Sequence, residues 1–456
     1  MNARAAAGNA GALWATVLGS GVAMVDGSIV NVALPAMARA LDADAAGVQW
    51  IVNGYMLPLS ALVLLGGALA DAIGRKRVFL AGLVLFALAS VGCMVAPGLG
   101  WLIGCRVLQG VGAALLTPAS LAILGADFDG EARAKAIGTW AAAGAIAAAI
   151  GPILGGWLVD TVGWRWVFGL IVPMALGAGA LAILYVEGGH DPEAPPPDWL
   201  GAGVATVALG LLVWGLTLVT TGQRGQGVAM AVAGLVAFAA FFVIQHRKGD
   251  KAMVPLALFG TRAFSAITVL TFLLYAALSG VLLLLPYLLI SGGWRATSAG
   301  LAVLPLPLIM GAGSRLSGLL AERVGARWMM LAGPVVTGIG FALMARIPAD
   351  GGDYVRDVLP AMLAIGLGMT TTVAPLTTTV MTAVDRHHAG AASGVNNATA
   401  RIGGMVAVAL IGLVLTGGGR GVSIDAFHAA ALVAGTLAVV AGLAGWFGAA
   451  AVERKA

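Results

Sequence analysis

Charge is the scarcest thing in this sequence. Only 10% of its 456 residues are Asp, Glu, Lys or Arg, against about 25% in a soluble domain. With 60% hydrophobic residues and a mean hydropathy of +0.98, the chain cannot cover itself with a water-facing surface. That excludes a soluble globular protein and expects a lipid bilayer as partner. Cysteine is almost missing too. Cys93 and Cys105 both lie in apolar runs, so neither a disulfide framework nor a zinc site is expected. The five histidines fall at no ligand spacing, and no metal is expected. There is no phosphate-binding Gly-x-x-x-x-Gly-Lys loop, which argues against ATP drive. Neither His-Glu-x-x-His nor Gly-x-Ser-x-Gly occurs, which argues against an intramembrane hydrolase. The chain is therefore expected to be no enzyme and to carry no cofactor. Its net charge of +5 is scattered through short polar breaks, which argues against nucleic acid as a partner.

What is present is a series of long apolar runs. A spanning helix needs about 20 apolar residues, and the sequence predicts fourteen: 11–35, 47–69, 78–97, 100–124, 136–159, 165–186, 199–220, 227–245, 264–289, 298–320, 327–346, 357–381, 395–416 and 426–450. The first run is longer than a signal-peptide core and reads as a retained helix. The longest polar breaks are 187–198, with Pro195-Pro196-Pro197, and 246–262. With the N-terminus placed inside, fifteen lysines and arginines fall on inner loops and ends and seven on outer loops. That bias predicts both termini in the cytoplasm.

One charged turn organises the rest. Gly67-Ala-Leu-Ala-Asp71-Ala-Ile-Gly74-Arg75-Lys76-Arg77 joins spans 2 and 3. A worn copy, Gly318-Leu-Leu-Ala-Glu322-Arg323-Val-Gly325-Ala-Arg327, joins spans 10 and 11. Two copies on one side of the membrane predict parallel repeats. Their offset of 251 residues exceeds one six-helix half, and the pair of spans at 199–245 fills the difference. The expected architecture is an all-α polytopic membrane protein on a six-two-six plan. Residues 1–190 form one six-helix half, 191–262 an inserted hairpin with linkers, and 263–456 the second half.

The residues also carry a resemblance. Val25-Asp26-Gly27-Ser28-Ile29-Val30-Asn31-Val32-Ala33-Leu34-Pro35 is similar to the first-helix signature of the fourteen-helix drug:proton antiporters, the EmrB/QacA-like branch of the major facilitator superfamily, with Ser28 where Thr is usual. Span 4 holds Leu102, Arg106, Gln109, Gly110, Gly112, Ala113 and Ala114, which resemble the superfamily's proton-linked motif. Span 5 holds Gly138, Gly151, Pro152, Gly155 and Gly156 at the spacing of the exporter-associated motif, with Ala147 in place of one glycine. Trp164-Arg165-Trp166-Val167-Phe168 resembles the start of span 6, with Ile171 where Asn is common. Ser393-Gly394-Val395-Asn396-Asn397, Arg401 and Gly403-Gly404 fit span 13. The likeness runs along essentially the whole chain. It implies the major facilitator fold, a gating role for Gly67, Asp71, Gly74, Arg75 and Arg77, and a hinge in exporters at Gly151, Pro152, Gly155 and Gly156.

The sharpest chemical signal is Asp26, an acid inside a spanning helix. Such a group costs about 2.5–3.5 kcal/mol on insertion scales unless it is paired, protonated or facing a polar cavity. It is the one acid firmly embedded in the predicted spans. Arg106, fixed in charge, is its expected partner in proton coupling. A structural acid and a structural arginine are the plainer readings. Asn31, Asn53, Tyr55, Gln109, Asn396, Asn397 and Arg401 are candidates for substrate contact, with interhelical bonding the plainer alternative for each. The Asp71 turn serves either as a latch or as positive-inside anchoring. Gly151 and Gly155 form a small face permitting close helix contact, and Pro152 removes a backbone donor.

These features together suggest a monomeric, proton-coupled exporter of small amphipathic organic compounds in a bacterial cytoplasmic membrane. A single embedded acid favours neutral or monocationic compounds over dications. A dedicated exporter of one metabolite, peptide or lipid and a transport-inactive sensor or scaffold stand as alternatives.

Overall fold

The computed structural model describes residues 3–189, 196–249, 252–385, 389–416 and 421–453. Some cations behind the orientation count, namely Lys251, Arg386, Arg420, Arg454 and Lys455, lie outside the described residues, as do the side chains of Arg4 and Glu322. The linker proline Pro195 lies outside them as well.

The described chain is helical almost throughout. The helices are α1 (Ala3–Ala40), α2 (Ala45–Ile73), α3 (Arg75–Met94), α4 (Leu99–Asp127), α5 (Gly130–Thr161), α6 (Trp166–Gly169) and α7 (Ile171–Tyr185). After a linker come α8 (Trp199–Thr220) and α9 (Arg224–Lys248). Then follow α10 (Arg262–Ser291), α11 (Ala296–Ala302), α12 (Pro305–Val324), α13 (Ala326–Met344), α14 (Leu359–Thr382), α15 (Ala389–Leu410) and α16 (Ile424–Glu453). Two of the predicted spans are broken in two. Span 6 is α6 with α7. Span 10 is α11 with α12, interrupted before Pro305 and Pro307, whose rings and missing N–H groups cannot continue an α ladder.

Thirteen helices among the described residues are long and apolar enough to cross a membrane. The fourteenth predicted span is α15, 22 residues long, whose middle is made polar by Ser393, Asn396, Asn397, Thr399 and Arg401. It also sits six residues earlier than the predicted 395–416. Gly412 opposes helix continuation, and Leu415–Thr416 instead pairs antiparallel with Gly421–Val422. α5 starts six residues before its predicted 136, because Glu131-Ala-Arg133-Ala-Lys135 is a good helix former that leaves the bilayer still helical. Asp425 rides in the first turn of α16.

Packing repeats along the chain. α3 on α4, α2 on α4, α1 on α5 and α1 on α7 recur as α13 on α14, α12 on α14, α10 on α15 and α10 on α16. The two charged turns are alike down to the backbone. Gly74 has φ 111° and ψ 128°, and Gly325 has φ 92° and ψ 138°. Both lie where side chains are disfavoured, so the second glycine of each copy is required by the tight reversal between helices. The α8–α9 hairpin stands apart. α9 packs on α8, and α8 meets the rest through α2 and α15.

The hairpin is tied at its base by Asp198. Its carboxylate caps α8 by accepting from the Gly201 N–H at 2.7 Å, and it also accepts from Gln245 Nε2 at 2.9 Å and from Lys248.

Candidate substrate and coupling site

Asp26 sits halfway along α1, and its environment comes from α2, α3, α4 and α6. It has no exposed surface. Arg106 of α4 donates from Nη1 to Asp26 Oδ2 at 2.5 Å. The same nitrogen donates to Gln109 Oε1 at 2.8 Å, and Arg106 Nε donates to the Ile51 carbonyl at 3.1 Å. One turn along α4, Gln109 Nε2 donates to Asp26 Oδ1 at 3.3 Å and to Ser90 Oγ at 2.8 Å. The Cys93 thiol donates to Gln109 Oε1 at 3.4 Å. The guanidinium also lies over the Tyr55 ring, 4.4 Å from its centroid, and 5.9 Å from that of Phe168. Tyr55 itself is fixed by a bond from its hydroxyl to the Ala23 carbonyl at 3.1 Å. A buried charge pair is tolerated only when its remaining donors and acceptors find partners, and this network occupies Nε and Nη1 of Arg106 and both carboxylate oxygens of Asp26.

Arg106 borders a cavity of about 370 Å³ between the α1–α7 set and the α10–α16 set. Arg106, Tyr55, Asn31 and Ser28 line it from one side, and Ser279, Leu282 and Arg401 from the other. Apolar side chains such as Met24, Met56 and Leu283 make up much of the remaining wall. Asp26 is not part of the wall. Arg106 and Tyr55 stand between it and the cavity.

At the face opposite the termini the two sets are locked together. Asp160, at the end of α5, accepts from the Ala296 N–H at 3.2 Å, the Thr297 N–H at 2.9 Å and the Thr297 hydroxyl at 2.6 Å. Arg295 Nε lies 3.7 Å from the same carboxylate. The first turn of α11 has no cap of its own, and this acid from the other set supplies one. Behind it the backbones touch. A Cβ on Gly156 would stand 2.3 Å from the Ala296 carbonyl oxygen, and one on Gly300 would stand 2.2 Å from that of Pro152.

The other candidates divide. Gly151 and Gly155 face α1, against Ser28 and Ile29, while Pro152 and Gly156 face α11. The breaker motif therefore has two working faces. Asn31, Tyr55 and Arg401 line the cavity, whereas Asn53, Gln109, Asn396 and Asn397 do not. Asn53 is fully buried with neither amide atom hydrogen-bonded. Asn396 accepts from Thr271 Oγ1 at 2.7 Å and so joins α15 to α10. Asn397 is exposed. Asp71 lies 3.8 Å from Arg75, one turn on across the Gly74 junction, Gly67 lies beside Pro118, and Arg77 is exposed.

Sequence reasoning missed Ser90 and Cys93, although a Ser-x-x-Cys face in an apolar helix is a readable polar stripe. It also gave no role to Asp160, Arg295 and Thr297. Asp160 was visible as an acid at a helix end, but only the fold brings α11 to it.

Comparison with known proteins bears on the family and the fold. Residues 16–407 and 267–456 match the family model described as Major Facilitator Superfamily. The chain is 33% identical over 403 residues to the methylenomycin A resistance protein of Bacillus subtilis, covering 87% of this chain and 86% of that one. It is 34% identical over 408 residues to the multidrug resistance protein Stp of Mycobacterium tuberculosis, covering 88% and 75%. A probable actinorhodin transporter of Streptomyces coelicolor is 33% identical over 407 residues, covering 86% and 70%. Among solved structures, a peptide transporter in complex with sulfate superposes with a TM-score of 0.73 over 98% of this chain and 95% of that one, at 15% identity. That last likeness bears on the fold alone.

Proposed function

The chain belongs to the major facilitator superfamily, and we propose that it is an efflux pump of the fourteen-helix drug:proton antiporter branch. In this reading it works as a monomer in a bacterial cytoplasmic membrane with both termini inside. It exports small amphipathic organic compounds by alternating access, one proton entering per cycle. Residues 1–190 and 263–456 act as the two rocking halves, with 191–262 as an inserted hairpin.

One observation carries the reading: a single guanidinium, that of Arg106, both pairs with Asp26 and lines the cavity. When Asp26 is ionised, Arg106 is held to it. Protonating Asp26 abolishes the ion pair and leaves the guanidinium's charge uncompensated at the cavity wall. The proton on Asp26 and the occupant of the cavity therefore act on the same group, which is what coupling requires physically. The closed face with Asp160 is then the outer one, and this conformation faces the cytoplasm. Substrate enters here. Opening of the α5–α11 contact releases it outside, where Asp26 takes up a proton. For a neutral substrate, one charge moving down 100 mV supplies about 2.3 kcal/mol, enough for roughly a 50-fold gradient.

Relatives named for resistance to several drugs support a broad range of substrates. A dedicated exporter of one natural product is the second reading, favoured by relatives named for methylenomycin A and actinorhodin. Resistance profiling in a pump-deficient host tests both. Wild type is expected to raise tolerance to a subset of compounds, and Asp26→Asn, at equal membrane abundance, to abolish it. Undiminished resistance in the Asn variant contradicts proton coupling through this acid.

A further inference from the structure

The charge inside the cavity does not balance. Arg106 is neutralised by Asp26, but the second arginine on the wall, Arg401 of α15, has no carboxylate beside it among the described residues. Its Nε is buried and makes no hydrogen bond. No Asp or Glu among the described residues lines the cavity. A guanidinium carries five donors in a planar fork suited to carboxylates and similar oxyanions. Leaving it unmatched beneath apolar walls is costly, and a bound anion removes that cost. Asn31, Tyr55 and Ser279 add polar groups at the same wall.

We propose that the substrates are amphipathic monoanions, with a carboxylate or acidic phenolate held by Arg401 and an apolar body filling the rest of the cavity. This rests on the efflux reading above and reverses the charge preference that a single embedded acid suggested. A cation entering the same space meets an uncompensated like charge and no acid free to receive it. Exchange of a monoanion for one proton also moves two positive charges inward per cycle. The membrane potential therefore drives export directly, besides the pH gradient.

The test uses three dyes of the phenoxazine type at neutral pH: resorufin, a monoanion; its ethyl ether, neutral; and cresyl violet, a benzo-fused cation whose extra apolar ring favours binding apart from charge. Binding to purified protein is read by fluorescence anisotropy, and transport is read in proteoliposomes. Resorufin is expected to bind about ten- to a hundredfold more tightly than cresyl violet, the range of a hydrogen bond to a charged group. Arg401→Gln is expected to erase that preference, and Arg401→Lys to retain most of it. Equal or tighter binding of the cation by wild type overturns the proposal, whatever the variants do. So does an anion preference unchanged in Arg401→Gln. If resorufin binds preferentially but no dye is transported, the efflux reading fails and the site assignment stands.

Discussion

Replacing Asp160 with alanine removes the polar part of the contact between α5 and α11 in one step and leaves the backbone approach at Gly156 and Gly300. The carboxylate accepts three hydrogen bonds from Ala296 and Thr297, and bonds to a charged acceptor are worth about 1.5–3 kcal/mol each when buried. Here the carboxylate keeps 16% of its surface and is rehydrated when the face opens, so about 3 kcal/mol for the set is reasonable. Arg295, with 75% of its side chain exposed, adds little. About 3 kcal/mol is roughly a hundredfold in the ratio of closed to open. Spin labels at Val162 and Val355, both exposed near this face, report that ratio by double electron–electron resonance in nanodiscs. Wild type is expected to give one short-distance population. Asp160→Ala is expected to add a longer one, and Asp160→Asn, which still accepts, a smaller share of it. An unchanged distance distribution in the alanine variant refutes the idea that this acid holds the face shut.

Gly156→Val, whose Cβ would meet the Ala296 carbonyl at 2.3 Å, should bias the same label pair further toward the open state and abolish transport with little loss of expression. Asp26→Asn leaves Arg106 buried without its partner and should lower the melting temperature by the equivalent of about 3–5 kcal/mol. The double variant Asp26→Asn with Arg106→Gln should recover most of that stability but not transport. At the hairpin, burial pushes the Asp198 carboxyl up, but bonds from Lys248, Gln245 and the Gly201 N–H outweigh it and hold the group below the usual carboxylate range. Its contribution is thus present above the unfolded value of about 3.9 and lost as pH falls through the folded one. The protection of amides at 198–203, taken relative to their intrinsic exchange rates at each pH, should fall on acidification below that point in wild type, and should be low at every pH in Asp198→Ala.

The helical plan was legible because lipid imposes it. A span must be long and apolar, so each run announces itself, and the repeated turn around Gly74 and Gly325 was readable because its backbone admits few residues other than glycine. The pairing of Asp26 with Arg106 was legible for a related reason: buried charges must find each other, and these were nearly alone. What stayed hidden depends on which helix faces which. Asn396 is used between helices and Arg401 faces the cavity, although both lie on one helix at a separation of five residues. Helical spacing turns them to different faces, but nothing local says which face meets α10 and which the cavity. The Asp160 clasp spans 136 residues of sequence to Ala296 and joins two separately packed helix sets, so no periodicity could point to it.

Substrate-linked proton flux tests the central claim most directly. Purified protein is reconstituted into vesicles holding a pH-sensitive dye, and an outward substrate gradient is imposed in the absence of any pH gradient. The account predicts proton movement opposite to the substrate in wild type and none above the empty-vesicle rate in Asp26→Asn. Substrate movement without protons in wild type, or equal proton movement in the variant, contradicts it.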